Sequence, residues 1–79
     1  MKLPREISSE ELAKLLKKYG YEITRQTGSH IRLTTTERGE HNITIPDHKY
    51  LKIGTLSSVL SDIAIHFKVD KGDLIKELF

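Results

Sequence analysis

Apolar residues along the chain recur with two different periods, and the changes of period mark its elements. Leu12, Leu15, Leu16 and Tyr19 follow i, i+3, i+4 and i+7, which lines one stripe of a helix over residues 7–20 and leaves Lys14, Lys17 and Lys18 off it. Ser8 and Glu11 make a capping box at its start, Ile7 and Leu12 stand where a hydrophobic staple needs them, and Gly20 sits where a left-handed residue closes the last turn. From Tyr21 the period becomes two. Tyr21, Ile23, Arg25 and Thr27 alternate with Glu22, Thr24 and Gln26 in a strand that ends at Gly28. Ser29, Ile31, Leu33 and Thr35 then alternate with His30, Arg32, Thr34 and Thr36. The polar run Glu37-Arg38-Gly39-Glu40 reads as a hairpin loop, and His41, Ile43 and Ile45 share one face of a third strand that Pro46 stops.

After a connection over residues 47–53 the helical period returns. Thr55 is the expected N-cap, and Leu56, Val59, Leu60, Ile63 and Phe67 form the buried stripe, with His66 left on the helix surface. Val69, Asp70 and Leu74 repeat the staple-and-cap pattern, so a short last helix from Lys71 carries Leu74, Ile75 and Leu78 inward, and Phe79 joins Phe67 at a core-like position. Helix, three antiparallel strands, helix and helix make an α+β fold in which helices cover one face of the sheet and the other meets solvent.

Length and composition narrow the choices. Seventy-nine residues are read as one domain over 1–79, with a core too thin for a large enclosed active site. Without cysteine there is no disulfide, thiolate metal site or Cys nucleophile, and a cytoplasmic location is the expectation. Apolar runs are short and the first ten residues carry Lys2, Arg5, Glu6 and Glu10, so neither a signal peptide nor a membrane span is expected. The net charge of +2 says little, but eight basic side chains against four acidic ones between Lys14 and Lys52 favour an anionic partner for the middle of the chain.

If Ile31, Leu33, Ile43 and Ile45 pack under the helices, then His30, Arg32 and Thr34 line the uncovered face. An imidazole, with an ordinary pKa of about 6.5, exchanges protons near neutrality, and a guanidinium offers a fixed fork of donors to a phosphate. Gly28 and Ser29 just before them allow a close backbone approach. His30, His41 and His48 with Asp47 or Glu40 lack a tight ligand spacing such as H-E-x-x-H, so no metal or other cofactor is expected.

The run RQTGSHIRL (Arg25 to Leu33), the segment TIPDHKYLKIGTL (Thr44 to Leu56) and the opening LPREISSEELAKLLKKYGY together resemble the HicA family of small messenger-RNA interferase toxins. The resemblance implies a double-stranded-RNA-binding-domain-like fold and an endoribonuclease whose one strand-borne histidine falls on His30, supported by Gly28 and Ser29. It also implies a HicB-type antitoxin that covers this site. Arg25, Gln26, Arg32, His48, Lys49 and Lys52 are then candidate RNA contacts, and of the five aromatic rings only Tyr50 is placed to meet a base. The alternative is a non-catalytic RNA-binding module of the same fold, in which His30 is only a contact residue. One departure from the family lies after the second helix, where residues 62–69 extend it before Asp70 begins the last.

Overall fold

The computed structural model describes residues 3, 4 and 6–79, so the charges of Lys2 and Arg5 lie outside the described residues. The element order is helix α1 (Ser9–Leu16), a 3-10 turn (Lys17–Tyr19), strands β1 (Glu22–Thr27), β2 (His30–Thr35) and β3 (His41–Pro46), then helices α2 (Ile53–Phe67) and α3 (Lys71–Leu78). The strands form one antiparallel sheet in the order β1-β2-β3. Ile31 and Leu33 of β2 and Ile43 and Ile45 of β3 are buried together with Leu12 and Leu16 of α1, Leu56, Leu60 and Ile63 of α2, and Leu74 and Leu78 of α3. Each such side chain contributes roughly 1.5–3 kcal/mol by leaving water. The α+β layout expected from the sequence is the one observed.

Local chemistry explains the ends of α1. Ser8 Oγ accepts from the Glu11 amide at 3.0 Å while Glu11 Oε1 accepts from the Ser8 amide at 3.2 Å, the reciprocal capping box. At the other end Gly20 adopts φ 80°, its amide donates to Lys17 O and the Tyr21 amide donates to Leu16 O, a Schellman closure. A Cβ at Gly20 would press on the Glu37 carboxylate and lie 2.8 Å from Thr35 Oγ1. Thr35 cannot give way, being 1% exposed and donating to Tyr19 O at 2.8 Å.

Four sequence expectations change. The alternation of β1 breaks: a bulge between Ile23 and Arg25 keeps Ile23 opposite Leu33 but sets Arg25 opposite Arg32, so Arg25 and Thr27 join the uncovered face and Gln26 turns to the helix side. The extra residue, Thr24, meets the Thr34 hydroxyl at 2.8 Å, and Thr34 donates on to Asn42 Oδ1. Helix α2 starts at Ile53, with Lys52 at the N-cap and Thr55 already inside the first turn, because Leu51 is fixed by its amide bond to Ile7 O and the chain turns helical directly after it. Phe79 is 42% exposed, since Leu78 completes the buried stripe one residue earlier. His66 is no free surface residue: its Nε2 bonds to Glu37 O at 2.9 Å and its ring stacks on His41 at 4.4 Å. The extension of α2 past Asp62 is present but runs to Phe67 and not to Val69, because Lys68 turns left-handed and closes the helix, and Asp70 caps α3 through the Asp73 amide.

The histidine stack joins the start of β3 to the end of α2. His41 Nδ1 bonds to the buried Tyr21 hydroxyl at 2.6 Å, and burial with a lesser effect of the Asp62 charge pushes the Tyr21 phenol up to about 12. Burial first, and His66 second, hold the His41 imidazole below its ordinary pKa, with Asp62 opposing.

Two outcomes follow from these contacts. Gly20→Ala lowers unfolding free energy by about 1–2 kcal/mol for the left-handed conformation, with more for the contact on Thr35, read as a fall in denaturant midpoint. The unfolded chain takes up the His41 proton near pH 6.5 and the folded chain only at lower pH. Stability from this group is therefore complete above about pH 6.5 and is lost as pH falls through the lower folded value. Denaturant midpoints taken between pH 7.5 and 5.5 decline less steeply in His41→Gln than in the parent chain.

Candidate active site on the uncovered sheet face

His30 opens β2 because the hairpin before it has only two loop residues, Gly28 and Ser29, between the paired Thr27 and His30. Gly28 takes φ 55°, and a positive φ at the first loop position is what short hairpins favour. Nothing lies within 4 Å of a Cβ built there, so this glycine serves the backbone conformation and not a close contact. His30 and Arg32 are exposed on the face opposite the buried Ile31 and Leu33, as the period of β2 requires.

The bulge completes the group. Arg25 pairs directly with Arg32, so two arginines stand opposite each other on β1 and β2, and Arg25 Nε donates to Thr27 Oγ1 at 3.3 Å. Thr27 is the cross-strand neighbour of His30, and Thr44 of β3 is that of Arg32. Arg25, Thr27, His30, Arg32 and Thr44 line a shallow depression of about 240 Å³. Neither nitrogen of His30 is engaged by another side chain among the described residues. Two fixed cations beside a free imidazole on an open surface can grip a phosphodiester and move a proton on its oxygens.

The other sequence candidates lie apart from this depression. Gln26 is on the helix-side face, its amide donating to Asp47 Oδ2 at 3.3 Å. His48, Lys49 and Lys52 are exposed in the connection that follows Pro46, and Pro46 is itself paired with His30. The connection is pinned by its main chain: the Asp47 amide to Ser29 O at 2.7 Å, the Ser9 amide to His48 O at 3.0 Å, and the Leu51 amide to Ile7 O at 2.8 Å. Arg38 is spent on structure, donating to Phe67 O at the end of α2. His41 is at the far end of β3 from His30. Thr27 and Thr44 were not singled out from the sequence. The signal for Thr27 is the length of the hairpin loop, which makes the residue before Gly28 the direct partner of His30.

A three-stranded antiparallel sheet held by helices on one face, with ionisable side chains on the other, defines the class of small α+β proteins with the double-stranded-RNA-binding-domain layout. Within it, the family model described as HicA toxin of bacterial toxin-antitoxin matches residues 9–65, more than half of the chain, and the protein belongs to that family. It is thus the toxin of a toxin–antitoxin pair, and a cognate antitoxin is its implied partner. Comparison with curated proteins and with solved structures found no match. No described helix is long and apolar enough to cross a membrane.

Proposed function

We propose that the protein is an endoribonuclease toxin that cleaves messenger RNA through His30 and is neutralised by a HicB-type antitoxin. The observation that carries this reading is the placement of His30 on the bare sheet face beside the opposed Arg25 and Arg32. Family membership supports it independently. RNA supplies its own nucleophile, the ribose 2′-hydroxyl next to the scissile phosphate. Attack forms the bond from the 2′-oxygen to phosphorus and breaks the bond to the 5′-oxygen, leaving a 2′,3′-cyclic phosphate. The 2′-hydroxyl proton goes to a base and the leaving 5′-oxygen takes one from an acid, and His30 serves one of these transfers. Arg25 and Arg32 hold the phosphate and stabilise the charge it gains at the transition state. Gly28 and Ser29 set the turn that aims His30, while His48, Lys49 and Lys52 extend the cationic track beyond Pro46. No metal takes part in this scheme.

His30→Ala lowers RNA cleavage about 10²–10⁴-fold and relieves growth arrest on induced expression, with RNA affinity retained. Cleavage at the parental rate by this variant, or its abolition by EDTA in the parent, excludes the mechanism. Arg25→Ala and Arg32→Ala each weaken binding to unpaired RNA and make its logarithmic salt slope shallower by roughly 0.7 per lost phosphate contact, whereas Gln26→Ala leaves the slope unchanged. Anisotropy titrations over a series of salt concentrations read both effects.

A further inference from the structure

Tyr50 is 56% exposed, and its hydroxyl makes no hydrogen bond among the described residues. Such a ring serves neither the core nor a buried polar network. Nor is it carried on a loose loop, because the main-chain bonds at Asp47, His48 and Leu51 fix the segment on both sides of it. Lys49 lies over the ring with Nζ 5.7 Å from its centroid. Beside it, residues 47–50 and the first turn of α1 enclose an open depression of about 530 Å³. Glu10 and Glu11 border that depression, and their carboxylates disfavour a phosphate there while leaving a neutral base unopposed. The segment runs on from Pro46, the cross-strand partner of His30, so three residues lie between that partner and Tyr50, and their Cα atoms are at most about 14 Å apart.

We propose that the Tyr50 ring is a stacking platform for an unpaired base of the RNA strand held at His30. The inference rests on the ribonuclease reading and adds to it a subsite for a nucleotide flanking the cleaved linkage. Stacking needs a flat ring held in place and accepts any base, because every base has a π-face. Lys49 covers one face of the ring, so the base stacks on the other. The site therefore grips single strands, whose bases can be splayed onto the ring, in preference to duplexes, whose bases are already stacked.

The test uses the full chain carrying His30→Ala, so that binding is read without cleavage, and a short unpaired oligoribonucleotide. Adding Tyr50→Ala weakens binding about 5- to 100-fold, Tyr50→Phe changes it less than about twofold, and neither alters the salt slope, since no charge is lost. The chain has no tryptophan, so Tyr50→Trp introduces a single reporter whose emission changes when RNA is added. Unchanged affinity in Tyr50→Ala together with unchanged Trp emission overturns the proposal. So does a Tyr50→Ala protein that binds RNA normally and loses only affinity for the antitoxin, which assigns the ring to a protein interface. Failure of the ribonuclease reading looks different: RNA bound but never cut by the parent chain leaves the stacking result standing, while no RNA binding by any variant removes both.

Discussion

Everything on the functional face depends on the parity of β2. A strand has only two faces, and Ile31 and Leu33 must enter the core because α1, α2 and α3 have no other sheet surface on which to bury their own stripes. His30 and Arg32 are thereby forced outward. A slip of one residue would put two large aliphatic side chains in water and an unpaired guanidinium under the helices, a cost far above the few kcal/mol by which a small domain is stable. The hydrophobic core thus decides which side chains are left on the uncovered face.

The same parity reaches the neighbouring segments through hydrogen bonds. β3 pairs Pro46 with His30, and the chain beyond Pro46 is fastened in turn to the hairpin at Ser29, to Ile7 just before α1 and to Ser9 at its first turn. Ser9 is 2% exposed and its hydroxyl lies within bonding distance of both the Asp47 carboxylate and His48 O. The hairpin that carries His30, the connection with its basic residues and the N-terminus of α1 therefore meet at one end of the sheet. The opposite end is closed by different means: Tyr21, His41, His66 and Phe67 pack edge to face or stacked, and Arg38 caps α2. Catalytic candidates and aromatic closure are thus segregated along the strands.

How much could be read beforehand follows from how local each determinant is. The face assignment of β2 and β3, the capping box and Gly20 depend on spacings of a few residues, and the structure keeps all of them. The bulge at Thr24 does not, because alternation in β1 looks regular whichever residue is extra, and only pairing with β2 reveals that Arg25 and not Gln26 shares the face of His30. Thr55 offered a good cap, but the helix start is decided by where Leu51 is tethered to Ile7, a contact far off in sequence. The stacking of His66 on His41 is likewise a meeting of α2 with β3 that no period encodes.

A site on a bare sheet face cannot exclude water, and that limits what its charges achieve. Exposed cations act through a high dielectric and are screened by salt, so on the proposed reading Arg25 and Arg32 would stabilise a phosphate far less than the same groups would in a closed cavity. A substrate that needed an enzyme-borne nucleophile or a desolvated pocket would be poorly served. RNA needs neither, because the attacking hydroxyl is already held beside its phosphate, and proton transfer with modest charge stabilisation addresses what remains of the barrier. Openness also suits control by a partner. A surface that is flat and preformed can be covered by a partner with no rearrangement of its own, so on the proposed reading the thin core that prevents enclosure would let an antitoxin inhibit by steric cover alone.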